Sequence, residues 1–214
     1  MSRLFTNVLD KRGKVIFEKL GGLQEKDWLL GGGTALALQL NHRKSFDFDI
    51  FLVGQVPRGL LLRINQSLKD FKIRPLVDTS DELSVSLEGE KKLTFLKFPF
   101  PPLHNPLKTH RLKMFSLADL ASNKAYVVGR RGEWKDYVDL YFLLKRATLS
   151  LKTIIGEAKK RFGGNFDEKL FWQQLVYWKD LRDFKIDYIG KQTSSQTIKQ
   201  YFQKLALKRF SVLL

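Results

Sequence analysis

The sequence predicts an α/β fold, in fuller terms an α+β arrangement: a small mixed β-sheet in an N-terminal half, then a helical C-terminal half. Three observations predict it. Strand-like runs with period-two alternation of apolar and polar residues are confined to the first hundred residues. Four of the six prolines crowd into "PFPPLHNPL" (99–107), which reads as an extended loop. Beyond that loop, apolar residues recur at helical spacing. The predicted boundary separates an α/β domain, 1–110, from a helical region, 111–214, packed against it.

The elements follow in order. Residues 3–20 mix apolar and charged groups around Gly13 and read as one or two short helices. "DWLL" (27–30) is a short strand, "GGG" (31–33) a turn, and "TALALQLNHR" (34–43) a helix with Thr34 as its N-cap. "FDFDIFLV" (46–53) is a strand in which Phe46, Phe48 and Ile50 face the core. "PRGLLLRINQSLKD" (57–70) reads as a helix opening on Pro57. Three strands follow, "FKIRPLV" (71–77), "ELSVSLE" (82–88) and "KLTFLKF" (92–98), the last two joined by a hairpin turn holding Glu88 and Glu90. After the proline-rich loop, "SLADLASNKAYVVG" (116–129) is a helix with Ser116 and Asp119 at capping-box spacing. "EWKDYVDLYFLLKR" (133–146) is an amphipathic helix, and helices near 151–163, 166–184 and 194–210 complete the chain.

Composition narrows the function classes. With no cysteine, disulfides, thiolate metal sites and cysteine nucleophiles are excluded. No apolar run of about 18 residues is present, so no membrane partner is expected. Charges break the first fourteen residues too early for a signal peptide, and a cytoplasmic protein is the expectation. Lys and Arg total 38 against 22 Asp and Glu, and this surplus points to a polyanionic partner, nucleic acid first. The positive charge is densest in residues 151–214, which hold thirteen basic and six acidic residues, with Lys159, Lys160 and Arg161 as candidate RNA contacts. His42, His104 and His110 lack metal-ligand spacing, and neither a Walker motif nor a G-x-S-x-G elbow occurs.

The chemistry concentrates in "LLGGGTALALQLNHRKSFDFDIFLV" (29–53). Asp47 and Asp49 share one face of a strand, where two carboxylates repel unless a cation joins them. Carboxylate oxygens suit Mg²⁺ or Mn²⁺, and Mg²⁺ shares its shell readily with phosphate. Gly32 and Gly33 precede a helix whose N-terminal N–H groups and positive dipole end suit a phosphate. The pattern therefore suits a nucleoside triphosphate (NTP) between helix start and metal.

These residues carry a resemblance. G-G-T-A-L-A followed by H-R-x-S-x-D-x-D-x-F resembles the AbiEii/AbiGii nucleotidyltransferase toxin family, itself similar to the polymerase-β-type superfamily. The match runs through Gly32, Gly33, Thr34, Ala35 and Leu36, then His42, Arg43, Ser45, Asp47, Asp49 and Phe51. A second match lies in "LADLASNKAYVVGRRGEWKDYVDLYFLL", at Lys124, Arg130, Lys135, Asp136, Asp139, Leu140 and Tyr141. The resemblance spans residues 29 to 144. It implies metal-dependent transfer of a nucleoside monophosphate from an NTP to an acceptor hydroxyl, RNA and in particular a tRNA 3′ end, by the toxin of a toxin–antitoxin or phage-defence pair. Asp47 and Asp49 would hold Mg²⁺ or Mn²⁺ as catalytic ligands, with Asp136 as a further catalytic acid. Gly32, Gly33, Thr34, Arg43, Ser45, Lys124 and Arg130 would bind the nucleotide, with Arg131 as an equal claimant for the arginine, Asp139 in a structural ion pair, and a cognate antitoxin as partner.

One departure is visible. The superfamily pattern places a third carboxylate on a later strand, yet "KKLTFLKF" holds no acid, with Thr94 and Leu96 at its interior-type positions. The departure keeps open a degraded enzyme that binds nucleotide or RNA without turnover. Transfer to a small cationic molecule is a third reading, disfavoured by the positive charge.

Overall fold

The computed structural model describes residues 4–25, 27–89, 91–128, 130–147, 149–181 and 183–211. The chain divides after Ser116 into two compact units.

The first unit is built on a five-stranded mixed sheet of order β1-β2-β5-β4-β3, from β1 (Trp28–Leu30), β2 (Phe48–Leu52), β3 (Ile73–Asp78), β4 (Glu82–Leu87) and β5 (Lys91–Lys97). Of the paired strands in this sheet, only β2 and β5 run parallel. Alternation sets two chemically different faces. Trp28, Phe48, Ile50, Leu52, Leu83, Val85, Leu93 and Phe95 form one buried apolar face. Asp49, Thr94, Ser84 and Glu82 share the other. Helices α1 (Lys11–Leu23) and α3 (Leu60–Ser67) reach the apolar face: Asp10, capping α1, pairs with Lys91 at 2.7 Å, and Arg63 of α3 stacks 5.8 Å from Trp28. Edge strand β3 carries Pro75 beside a register shift, where a missing N–H costs no ladder bond. The hairpin turn after β4 uses positive φ at Glu88 and Gly89; Glu90, placed in the same turn above, lies outside the described residues.

Several boundaries differ from the sequence expectation. Helix α2 is Gly32–Leu40 with Gly31 at its N-cap, so Thr34 does not cap it; it lies inside the first turn. Helix α3 begins at Leu60 and not Pro57, because Gly59 takes φ +76° and interrupts helical backbone. Phe46 is exposed, since β2 starts only at Phe48.

The second unit is helical: α4 (Leu117–Val127), α5 (Trp134–Arg146), α6 (Leu151–Phe162), α7 (Glu168–Leu175) and α8 (Ser195–Ser211). The helix expected over 166–184 is shorter. Buried Tyr137 donates to the Gln174 carbonyl at 2.8 Å and so takes up an acceptor in the last turn of α7. Among the described residues, no helix is long and apolar enough to cross a membrane.

Candidate functional site

In the first unit, the start of α2 is tied to the middle of β2. The Gly31 N–H donates to the Asp49 carbonyl at 2.8 Å. Gly32 has φ +61°, and a Cβ there would lie 2.2 Å from Asp49 Oδ2. The Asp49 carboxylate therefore fills the volume that a side chain at 32 would need. Gly33 is crowded by Arg43, whose Nη2 would stand 2.3 Å from an added Cβ. Arg43 is itself buried and donates from Nη1 to the Lys44 carbonyl at 2.9 Å.

Hydroxyls stitch the same region. Thr34 Oγ1 lies 2.7 Å from Ser45 Oγ, and the Thr34 hydroxyl also donates to the Asp47 carbonyl. Asp47 Oδ1 accepts from the Lys92 N–H of β5 at 2.9 Å, which fixes the carboxylate just ahead of β2. Gly32, Gly33, Thr34, Arg43, Ser45, Asp47 and Asp49 are thus gathered around one helix start and one strand. Among the described residues, no group of three or more His, Asp or Glu is arranged to hold a metal. Two carboxylates two residues apart still match the way Mg²⁺ is usually held, with water and substrate phosphates completing its shell.

Gly32→Ala tests this packing. The left-handed backbone would cost an alanine about 1–2 kcal/mol, and the methyl would displace the Asp49 carboxylate. We expect a lower melting temperature together with loss of whatever Asp49 binds; a Gly32→Ala protein as stable and as active as the parent would contradict the geometry.

In the second unit, Lys124 is 3% exposed, and Asp136 and Asp139 are fully buried. Lys124 Nζ stands 2.7 Å from Asp136 Oδ1 and 2.6 Å from Asp139 Oδ2. The three- and four-residue spacings of α-helices make this possible: Asp136 and Asp139 lie on one face of α5, turned toward α4. Arg131 grips Asp136 with two bonds, Nε to Oδ2 at 2.7 Å and Nη2 to Oδ1 at 3.0 Å. The four groups balance, two cations against two carboxylates. Burial alone would raise the Asp136 pKa, but Lys124 and Arg131 outweigh it and hold the carboxyl below its ordinary value.

Arg130 takes no part in the grip on Asp136. Its guanidinium stacks 4.1 Å from the Tyr126 ring and donates to the Asn165 carbonyl. A fork that closes a helix start by reaching five residues on, Arg131 to Asp136, is not distinguishable in sequence from its neighbour. The basic run on α6 also resolves unevenly. Lys160 is exposed, and Lys159 pairs with Glu168. Arg161 is buried, donating from Nη1 to the Asp119 carbonyl at 3.0 Å and to Ser122 Oγ at 3.2 Å, so it is a structural cation and not a surface RNA contact.

Comparison with known proteins bears on these sites. The chain is 35% identical over 159 residues to an uncharacterized protein of Aquifex aeolicus, covering 73% of this chain and 76% of the relative. Its fold is similar to JHP933 from Helicobacter pylori, with TM-score 0.55 and 16% identity over 96% of this chain and 100% of that one. It is also similar to MenT4, a nucleotidyltransferase toxin from Mycobacterium tuberculosis H37Rv, with TM-score 0.60 and 12% identity over 89% of this chain and 79% of that one. The family model described as nucleotidyl transferase AbiEii toxin, type IV toxin–antitoxin system, matches residues 21–214. With a match over most of its length and a nucleotidyltransferase-type fold, the chain belongs to the AbiEii family of nucleotidyltransferase toxins.

Proposed function

We propose that the protein moves a nucleoside monophosphate from an NTP onto an acceptor hydroxyl of RNA, a tRNA 3′ end in particular, releasing pyrophosphate, as the toxin of a toxin–antitoxin pair. The observation that carries this reading is the Asp49 carboxylate seated against Gly32 at the start of α2. A helix start suited to phosphate and a carboxylate suited to a divalent cation lie within one side chain's reach. Asp47 and Asp49 would hold Mg²⁺ or Mn²⁺, which when bound polarises phosphoryl oxygens and offsets the charge of the leaving group. Gly32 and Gly33 let a phosphate approach the backbone. Arg43, Thr34 and Ser45 keep the helix start and the aspartate loop in register. Lys124 serves by holding Asp136 and Asp139 in place.

Incubating the protein with each α-labelled NTP, Mg²⁺ and total RNA tests the reading. Label in RNA, with pyrophosphate released in equal amount, is the expected result. Nucleotide bound without transfer would favour a binding protein of the same fold, a reading supported by the absence of a third acid beside Asp47 and Asp49 among the described residues.

The net charge of +16 leads to a second expectation. RNA affinity should fall steeply between low and physiological salt through counterion release. Replacing exposed Lys160, Lys204 and Lys208 by glutamine should weaken binding and lower the salt slope by roughly 2 to 3. A salt-independent affinity in a filter-binding titration would count against an RNA acceptor.

A further inference from the structure

Two lysines of the second unit meet aromatic rings where other cations of that unit meet acids. Helices α5 and α8 pack through edge-to-face rings, Tyr137 on Phe202 at 6.3 Å and Tyr141 on Tyr201 at 5.1 Å between centres. Lys199 of α8 has its Nζ 4.4 Å from the centre of the Phe184 ring, 5.5 Å from that of Trp178 and 5.8 Å from that of Trp134. Lys145, in the last turn of α5, has its Nζ 4.5 Å from the Tyr201 ring centre and 6.0 Å from that of Tyr141. By contrast, Lys135 pairs with Glu133 and Lys159 with Glu168. Among the described residues, neither Lys145 nor Lys199 has a carboxylate within ion-pair distance, although Asp180, Asp183 and Asp187 lie in the segment that carries Phe184.

A ring draws an ammonium to its face through its quadrupole but has no net charge to cancel it. The positive charge of both lysines therefore still acts on an approaching anion. Helix α8 adds Lys204, Lys208 and Arg209 and holds no acid. For stability alone, a leucine at 199 would fill the space among three rings without taking an ammonium out of water. Cations set between aromatic rings are what a single-stranded nucleic acid requires: its phosphates meet the charges and its unpaired bases stack on the rings. Of the three rings around Lys199, Phe184 is the open one, 36% exposed against 2% for Trp134, with Trp178 half-buried.

We propose that the seam of α5 and α8 binds an unpaired stretch of the acceptor RNA, with phosphates on Lys145 and Lys199 and a base stacked on Phe184; the proposal rests on the RNA-acceptor reading above. Every base has a π-face, so the seam takes RNA with little regard to sequence. It discriminates against duplex, because a paired base is already stacked on both sides.

The experiment is fluorescence anisotropy with the full chain and a labelled oligoadenylate of about twelve nucleotides, alone and paired with oligouridylate, over a range of salt. The single strand should bind more tightly than the duplex. Phe184→Ala should weaken binding about tenfold, the scale of one lost base stack, with the salt slope unchanged, and Phe184→Trp should restore it. Lys145→Gln and Lys199→Gln should each weaken binding and lower the slope by roughly 0.7, one phosphate contact on a single strand. Lys199→Arg keeps the charge and should keep the slope. Melting temperatures within a few degrees of the parent separate loss of contact from loss of fold. Should Lys199→Gln melt lower, Phe184→Ala and Lys145→Gln, both at exposed positions, carry the test. Parental affinity and salt slope in both of these variants would overturn the seam and leave RNA as the acceptor. Equal affinity for strand and duplex would do the same. No RNA bound by the unaltered protein at low salt would overturn the RNA-acceptor reading and the seam with it.

Discussion

Asp49→Asn and Asp47→Asn should each cut nucleotide transfer by about a thousandfold, the scale of several kcal/mol of lost transition-state stabilisation, while leaving the fold intact. The structural cost is small in both cases. Asparagine is isosteric with aspartate, so at 49 it still fits the space beside Gly32. At 47 it keeps an oxygen to accept the Lys92 N–H. What each change removes is one of two negative charges on residues separated only by Phe48. Without metal those charges repel, so the melting temperature of the metal-free variants should equal or exceed that of the parent. Added Mg²⁺ should then stabilise the parent more than either variant, by linkage. Transfer at the parental rate by either variant would sink the two-aspartate mechanism. Equal stabilisation of parent and variants by Mg²⁺ would move the metal elsewhere.

The second large effect is on stability. Lys124→Ala should cost about 3–5 kcal/mol, because it removes the cation that stands between two buried carboxylates. In thermal unfolding that is a fall on the order of 10 °C. The better helix propensity of alanine, worth a few tenths of a kcal/mol, does not offset it. Lys124→Arg should not restore the parent, since a planar fork does not fit where a compact ammonium bridges two acids. Lys124→Met combined with Asp139→Leu should recover at least half of the loss, because Asp136 keeps its two bonds to Arg131 and no buried charge is stranded. A Lys124→Ala protein as stable as the parent would show that this buried cluster does not hold the second unit together.

The same cluster sets an acid limit. The folded pKa of Asp136 is depressed, so its contribution is complete above the ordinary carboxylate value of 3.8 and drains away as pH falls through the lower folded value. Acid unfolding of the parent should therefore begin below about pH 4. In the Lys124→Ala variant the depression is weakened and unfolding should begin at higher pH.

Much of this protein was legible in its sequence. Strand-like runs located all five strands: β2 and β5 by alternation, because one face of the sheet is apolar and a one-residue slip would expose it, and β1 as a short, continuously apolar run. The first motif pointed to Gly32, Gly33, Asp47 and Asp49 through backbone approach and paired carboxylates, whereas Lys124 and Asp136 were singled out by the family resemblance, a lysine on a helix leaving no local mark of its own. Tertiary structure alone decided the rest, and the reason in each case is a contact distant in sequence. Thr34 is a sensible cap by local rules, but Ser45 and the Asp47 carbonyl claim its hydroxyl from a strand away. Arg130 and Arg131 are equivalent until one meets Asp136 and the other Tyr126. Arg161 sits in a run of surface-like cations, yet Asp119 and Ser122 on another helix draw it inside. Strand β5 reads as chemically empty because it holds no acid. Only the register of three strands shows that Thr94 lies between Asp49 and Ser84, since pairing across a sheet has no spacing along the chain.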